Sequence, residues 1–315
     1  MEGATGHEAL GPGREFDVIR ALLGRWSDMA RGIGDDAAVL DIPAGSRLVA
    51  SIDTSLEGVH FRREWLTARE IGYRSTASAL SDLAAMAAQP LAILLALSLP
   101  PTWLDDAASL ADGVGDAARD AGCAIVGGDT TRGDRLALTV TVLGHAIAPV
   151  RRSGARPGDL VYVTGRLGAV AAAVAAFERG ETPPRPLRER FAHPVPRMAE
   201  AQWLAAKGAT AMIDISDGLV SELRHLAAAS NVGMTVELER VPVVAGMTPA
   251  DAARSGEEYE LLLTSPHELD AAAFTSAFSS PLTSIGRVDD GVGGVIVTHR
   301  GERVDPGAGY DHFSR

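Results

Sequence analysis

A polar segment at residues 149–159 constrains the fold most, because it divides the chain into two parts that each mix strand and helix patterns. The segment, PVRRSGARPGD, holds two prolines and two glycines, which favour turns over regular structure. With 315 residues, the chain is long enough for two domains that each have a core. We therefore predict a two-domain α/β (α+β) fold, with a disordered N-terminus over residues 1–13 and domains over residues 14–149 and 150–315.

Apolar periodicity predicts the elements of both parts. In the first part, the pattern predicts helices over residues 15–26, 67–89 and 103–121, and strands over residues 47–53, 91–99, 124–126 and 136–147. In the second part, it predicts helices over residues 168–177, 197–207, 218–229 and 267–278, and strands over residues 160–164, 234–238, 259–264, 283–288 and 292–298.

The charge of the chain excludes several classes of function. Its net charge is −12, and Lys207 is its only lysine. An acidic balance argues against a nucleic-acid surface, which needs clustered positive charge. Because Lys207 lies in the sequence AAKGA, neither a P-loop nor the strand lysine of a protein kinase is present. Any nucleotide chemistry must therefore neutralise phosphate with metal ions and arginines.

Hydropathy and cysteine content indicate the compartment. No apolar run approaches the roughly 20 residues of a membrane span, and the first residues lack a signal-peptide pattern. Cys123 is the only cysteine, so an intramolecular disulfide is impossible. We expect a cytoplasmic protein with an inert core thiol at Cys123, and neither a membrane nor a nucleic acid as a partner.

Five short acidic segments lie where a strand or helix is predicted to end or within an apolar helix. They are GDD at residues 34–36, SID at 51–53, LSD at 80–82, GGDTTR at 127–132 and DISDG at 214–218. Carboxylates in such places can reach one shared cavity, and Mg²⁺ prefers hard oxygen ligands. Aspartates without cysteine or histidine suit Mg²⁺ better than zinc.

Each segment alone has a simpler interpretation. An aspartate beside glycine is usually a turn residue or a helix cap, and Asp217 could merely begin the helix that follows it. Asp82 differs, because its helical pattern is mostly apolar. Jointly the segments favour a shared cation, since unpaired carboxylates in apolar surroundings are costly.

Arginines and one histidine are the remaining candidates. Because the guanidinium group matches the geometry of phosphate oxygens, we expect Arg132, Arg151 and Arg152 to bind phosphate. For Arg151 and Arg152, a solvated linker is an equal alternative. His60 either contacts a substrate or packs as a half-buried histidine.

These segments, in this order, resemble the thiamine-monophosphate kinases, in the superfamily of aminoimidazole ribonucleotide synthetase and selenophosphate synthetase. The resemblance runs from residue 15 to the tail at residues 309–313. Its landmarks are GIGDDAAV at 32–39, DTSLEGVHF at 53–61, ALSDLAAM at 79–86, GGDTTR at 127–132, RSGARPGD at 152–159, HPVPR at 193–197, IDISDGL at 213–219 and GYDHF at 309–313.

The resemblance implies an N-terminal domain that forms a dimeric β-barrel and a C-terminal α/β domain. It implies a homodimer that phosphorylates thiamine monophosphate with ATP and several Mg²⁺ ions, in thiamine diphosphate biosynthesis. The implied Mg²⁺ ligands are Asp35, Asp36, Ser51, Asp53, Asp82, Asp129, Asp214 and Asp217. The implied ATP contacts are Gly128, Asp129, Arg152 and Ser216, the substrate contacts are His60, Glu257 and Tyr310, and the catalytic residues are Asp129, Asp217 and Arg152.

The chain departs from the family pattern at a few positions. Ile52 stands where a threonine is usual, Ala87 replaces a glycine, and Gly115 stands where an aromatic residue often lies against the adenine. At residues 255–261, SGEEYEL replaces GGEDYEL, so Ser255 and Glu258 are both changed. Two alternatives stay open: another ATP-using member of the superfamily, such as a purine-pathway synthetase, or a non-catalytic homologue that binds Mg²⁺ and nucleotide.

Overall fold

The computed structural model describes residues 14–33, 37–291, 294–307 and 309–310. The disordered N-terminus predicted for residues 1–13 and the candidate ligands Asp35 and Asp36 lie outside the described residues. Contacts divide the chain into two units: residues 1–83 with 88–148, and residues 84–87 with 149–315.

The first unit is built on a mixed sheet. Its strands run in the order β1-β4-β2-β3, with β2 parallel to β3 and both other pairs antiparallel. The strands are β1 (Arg47–Leu56), β2 (Gln89–Leu99), β3 (Ala124–Arg132) and β4 (Ala137–Ala146). The helices are α1 (Arg14–Trp26), α2 (Ala68–Ala85) and α3 (Ala107–Ala121).

The two faces of this sheet differ, as the alternation of β4 shows. Leu138, Val140 and Val142 are buried, whereas Thr139 and Thr141 between them are only partly buried. Strand side chains alternate between faces, so one face carries the core and the other is open. The open face also carries exposed apolar side chains of β1.

The second unit is built on a longer sheet, in the order β11-β10-β7-β9-β5-β8-β6. Its strands are β5 (Leu160–Thr164), β6 (Ala211–Asp214), β7 (Gly233–Glu237), β8 (Leu261–Ser265), β9 (Leu282–Asp289), β10 (Val295–His299) and β11 (Glu302–Arg303). Its helices are α4 (Ala169–Glu178), α5 (Arg185–Ala192), α6 (Met198–Ala206), α7 (Leu219–Ser230), α8 (Pro249–Ala252) and α9 (Ala271–Phe278).

Mixed sheets with packed helices in both units confirm the α+β class. Among the described residues, no helix is long and apolar enough to cross a bilayer. Three boundaries differ from the prediction in ways that affect the site: β1 continues to Leu56, β3 continues to Arg132, and α2 ends at Ala85. The predictions that a strand ends at Asp53 and that Asp129 follows the end of a strand are therefore wrong, because both residues lie within strands.

Candidate functional site

Two hydroxyl–carboxylate contacts join β1 to α2. Ser51 donates a hydrogen bond to Asp82 Oδ2 at 2.5 Å, and Ser78 donates to Asp53 Oδ2 at 3.1 Å. The Thr54 N–H donates to Asp53 Oδ1 at 2.8 Å. Ser51 and Asp53 are two residues apart on a strand, a rise of about 6.6 Å. Ser78 and Asp82 are four residues apart on a helix, a rise of about 6 Å. Because these two rises are similar, the residues on β1 lie opposite those on α2, and both contacts form together.

His60 lies in the turn after β1 and is half-buried. Its Nδ1 accepts a hydrogen bond from the Leu56 N–H at 3.0 Å. A ring nitrogen that accepts a hydrogen bond carries no proton, so the neutral ring carries its hydrogen on Nε2. The hydrogen bond to Leu56 thus places the ring's donor on the nitrogen remote from β1.

Asp129 lies on the open face of the first unit's sheet. The strand register aligns it with Ala96 on β2, Thr139 on β4 and Thr54 on β1. Asp53, by contrast, bonds α2 on the opposite face. Three strand spacings separate β1 from β3, or about 14 Å, so this unit brings Ser51, Asp53 and Asp82 together but does not bring Asp129 to them.

Gly128 allows the strand that carries Asp129 to lie against β2. A Cβ atom at Gly128 would come within 1.9 Å of the Leu95 carbonyl oxygen. Any side chain would therefore push β3 away from its neighbour. The glycine is required by this close approach of two backbones, and it leaves main chain open to a ligand.

A cavity of about 600 Å³ lies between α1 and the open face. Leu22 and Trp26 of α1 line it, as do Gly128 and Asp129 of β3. Trp26 also accounts for Gly115, because a Cβ atom there would lie 3.1 Å from the Trp26 ring. The indole therefore fills the space that a larger residue at position 115 would need.

In the second unit, backbone hydrogen bonds bring four candidate residues together. The Glu257 N–H donates to the Ser216 carbonyl at 2.6 Å, and the Tyr310 N–H donates to the Asp217 carbonyl at 2.9 Å. Ser216 and Asp217 link β6 to α7, and both are half-buried. The loop before β8 and the C-terminal segment thus both contact the turn that carries Asp217.

Asp214 ends β6, and Arg152 belongs to a segment that runs beside this strand. Asp214 is the buried last residue of β6. The Met212 N–H donates to the Arg151 carbonyl at 3.0 Å, so the segment before Arg152 runs beside β6. Arg152 is exposed, and its carbonyl accepts a hydrogen bond from Ser230 Oγ at 3.0 Å.

Glu222 is a buried carboxylate that the sequence analysis missed. Its Oε1 accepts hydrogen bonds from Ser216 Oγ at 3.2 Å and from the Asp217 N–H at 3.0 Å. Burial raises the pKa of Glu222, and the nearby Asp217 charge acts in the same direction. The sequence could have identified Glu222 by its position among the apolar residues of α7, where a carboxylate needs a specific polar partner.

Glu260 was also missed, and it is fully buried directly before β8. Arg190 Nη1 and Arg197 Nη2 donate to its Oε1 at 2.7 and 2.6 Å, and Thr164 Oγ1 donates to its Oε2 at 2.7 Å. Burial by itself raises the pKa of Glu260, but the charges of Arg197 and Arg190 outweigh it and lower the pKa. This carboxylate is neutralised within the fold.

The described residues contain no group of three or more His, Cys, Asp and Glu side chains that could hold a metal ion by themselves. The chemistry of the candidate donors nevertheless fits Mg²⁺. Ser51 and Asp82 form a hydroxyl–carboxylate pair, and Mg²⁺ takes oxygen ligands and completes its shell with water and substrate phosphates.

Comparison with known proteins identifies the family. Residues 34–146 match the N-terminal domain, and residues 156–299 the C-terminal domain, of AIR synthase related protein. A thiamine-monophosphate kinase of Salmonella typhimurium is 36% identical over 323 residues, which cover 96% of each chain. The chain belongs to the thiamine-monophosphate kinase family.

Solved structures of thiamine-monophosphate kinases share the fold of this chain. The enzyme of Stenotrophomonas maltophilia K279a is 37% identical, with a TM-score of 0.79 and coverage of 94% of this chain and 98% of its own. A ThiL structure complexed with AMPPCP and TMP is 28% identical, with a TM-score of 0.74 and coverage of 97% and 100%. The two-domain fold expected from the resemblance is confirmed.

Proposed function

We propose that this chain transfers the γ-phosphoryl group of ATP to thiamine monophosphate, giving ADP and thiamine diphosphate. The 36% identity to a thiamine-monophosphate kinase over 96% of the chain carries the proposal. A ThiL structure complexed with AMPPCP and TMP supports ATP and thiamine monophosphate as the two ligands. A phosphate oxygen of the acceptor bonds the γ-phosphorus while the bond to ADP breaks, so direct in-line transfer needs no covalent enzyme intermediate.

The chain's own residues position the two substrates. The acceptor oxygen is already ionised at neutral pH, so no strong general base is required. Catalysis then depends on alignment and on the stabilisation of charge. In this proposal ATP is held by the Gly128 backbone, Asp129, Ser216 and Arg152, and thiamine monophosphate is contacted by His60, Glu257 and Tyr310.

Several Mg²⁺ ions would be held by carboxylate and hydroxyl oxygens. The proposed ligands are Asp35, Asp36, Ser51, Asp53, Asp82, Asp129, Asp214 and Asp217. When bound, Mg²⁺ neutralises part of the charge of two polyanionic substrates. The hydrogen bonds of Ser51 and Ser78 orient oxygens of Asp82 and Asp53, and a hydroxyl group brings no positive charge to either carboxylate.

The open face of the first unit's sheet supports a homodimer. Leu48 and Ile52 expose 55% and 64% of their surface there, and an exposed apolar patch of this kind favours an interface. We propose that the domain over residues 14–149 pairs through this face with a second copy, which would close two sheets into the expected β-barrel. Light scattering at micromolar concentration should give a dimer for the wild type and a monomer for Leu48→Asp/Ile52→Asp. A monomeric wild type would contradict the pairing.

The single thiol is consistent with a cytoplasmic enzyme. Cys123 is buried, and burial raises its pKa to about 12. It is therefore protonated and unreactive at neutral pH. We propose the cytoplasm as the compartment.

We also propose that residues 150–315 form the second domain.

The deciding assay supplies ATP, Mg²⁺ and thiamine monophosphate to the wild-type protein. We expect equal amounts of ADP and thiamine diphosphate. Turnover of ATP only with a purine-pathway amide substrate would identify a synthetase instead. Nucleotide binding without turnover of either substrate would identify a non-catalytic homologue.

A further inference from the structure

A strained loop carries Glu257. In the Glu257 loop, defined as residues 255–260, Glu257 and Tyr259 have φ values of 55° and 52°, a left-handed conformation that is unfavourable for side chains other than glycine. The Glu257 and Tyr259 N–H groups donate to the carbonyls of Ser216 and Ile215 at 2.6 and 2.9 Å. Such a conformation persists only where surrounding contacts fix it.

Ser255 and Glu258 attach this loop to the first turn of α4. Glu258 Oε1 accepts hydrogen bonds from the N–H groups of Gly168 at 2.9 Å and Val170 at 3.1 Å. Ser255 Oγ accepts from the Ala171 N–H at 3.1 Å. Gly168, the N-cap of α4, has no side chain to cap the helix. The loop therefore supplies partners for amides that the helix leaves unbonded.

The same two side chains also bond each other. Ser255 Oγ donates to Glu258 Oε1 at 2.5 Å, and both side chains are buried. A glycine at position 255 has no such donor, and an aspartate at position 258 is shorter by one methylene. The two departures from the family pattern thus lie in one hydrogen-bond network, which flanks Glu257 on both sides.

We propose that Ser255 and Glu258 act together as positioning residues that hold Glu257 in place for thiamine monophosphate. The inference rests on the proposed function, in which Glu257 contacts that substrate. Neither side chain needs to touch the substrate. Their contacts with α4 fix the loop ends, and the loop's hydrogen bonds with Ser216 and Ile215 fix its middle.

A capping residue elsewhere in the same unit provides a matched control. Asp270 caps α9, where its Oδ1 accepts a hydrogen bond from the Ala273 N–H at 2.9 Å. Asp270→Ala removes a helix cap without changing the Glu257 loop. It should lower the melting temperature but leave both KM values unchanged, which separates lost stability from lost position.

The test measures KM for each substrate, kcat and melting temperature for Ser255→Ala, Glu258→Ala, their double variant, Glu258→Gln and Asp270→Ala. We expect KM for thiamine monophosphate to rise about tenfold in both single alanine variants, with KM for ATP within about twofold. The double variant should resemble Glu258→Ala, because that single change already removes three hydrogen bonds of the network. Glu258→Gln keeps an acceptor oxygen and should stay close to the wild type.

Three results would overturn the inference: an unchanged KM for thiamine monophosphate in Ser255→Ala and Glu258→Ala, an equal rise in both KM values, or the same rise in Asp270→Ala. If Glu258→Ala does not fold, Ser255→Ala alone decides. An inactive wild type would refute the proposed function and this inference with it. An active wild type with unmoved KM values in the variants would refute the inference alone.

Discussion

Two carboxylates of the first unit and one of the second bond very different partners. In the first unit, Asp53 and Asp82 bond hydroxyl groups and a backbone amide. In the second, the fully buried Glu260 bonds two guanidinium groups. A hydroxyl group orients a carboxylate but leaves its charge in place, whereas a guanidinium group neutralises it. The first arrangement is suited to binding a cation, and the second to holding helices and a strand together.

This difference predicts opposite responses to mutation. A carboxylate paired with arginine is part of the fold, so its removal should cost stability. Removal of a carboxylate that binds a cation from solution should cost activity and, in the absence of that cation, little stability. The five predictions below run from the largest expected effect to the smallest.

Removal of the Glu260 carboxylate should destabilise the protein most. Glu260→Ala leaves Arg190 and Arg197 without the fully buried carboxylate that they share, and the loss of such a partner typically costs about 3–5 kcal/mol. Urea unfolding would measure the loss. The exposed Glu268→Ala, in the same unit, should change the free energy of unfolding by less than about 0.5 kcal/mol. A stable Glu260→Ala variant would show that the arginines find other partners.

Asp129→Asn should lower kcat/KM by about a hundredfold, equivalent to about 2.7 kcal/mol of transition-state stabilisation. Its side chain is exposed on β3, so the melting temperature should hardly change. The nearby exposed Asp134→Asn is the matched control and should keep full activity.

Asp217→Asn should have the same effect on kcat/KM from the second unit. Its backbone contacts with Glu222 and Tyr310 do not depend on the carboxylate, so the turn should keep its shape. Full activity at saturating Mg²⁺ in either variant would remove that aspartate from the proposed metal site.

The fold was predictable where local patterns decide it. The strand predicted over residues 160–164 has the same bounds as β5. The helix predicted over residues 67–89 ends earlier, because Ala87 has a left-handed φ of 50° and the Ala88 N–H donates back to the Leu83 carbonyl. Helix α5 was missed, since among its mostly polar residues only Phe191 and Ala192 are buried.

The site was predictable in its residue types but not in its contacts. Glycine-flanked aspartates are a local signal, and family resemblance extends it. Apart from Ser255, the partners of the Glu258 and Glu260 side chains lie 63 to 96 residues away in sequence, and nothing local specifies them. Likewise, no periodicity reveals that β4 and β2 lie between β1 and β3, which separates Asp129 from Asp53.

Mg²⁺ should stabilise the wild type beyond any effect of ionic strength. A ligand that binds only the folded form at ten times its Kd contributes about 1.4 kcal/mol, whereas sodium chloride only screens charge. The comparison is the melting temperature with EDTA, with Mg²⁺ and with sodium chloride of matched ionic strength. Asp82→Asn should reduce the Mg²⁺ shift, and the exposed Asp105→Asn should not. Equal melting with both salts would mean that the aspartates are ordinary surface charges.

The smallest expected effect is a contrast in pH dependence between two neighbouring glutamates. The lowered pKa of Glu260 means that its contribution to stability is present above its ordinary value of 4.5 and is lost as pH falls through the folded value. Burial raises the pKa of Glu258 above 4.5 despite the charge of Arg190. Its contribution is therefore complete below 4.5 and is lost as pH rises through the folded value.

Glutamine variants distinguish the two opposite pH dependences of stability, because each variant removes one titrating carboxylate and keeps the shape of the side chain. Relative to the wild type, the stability deficit of Glu260→Gln should narrow as pH falls below 4.5, since the wild type then loses what the variant already lacks. The deficit of Glu258→Gln should instead narrow as pH rises above 4.5. Urea unfolding at several pH values on both sides of 4.5 would measure both. Parallel curves for the two variants would show that the two carboxylates ionise alike, and the contrast between them would be lost.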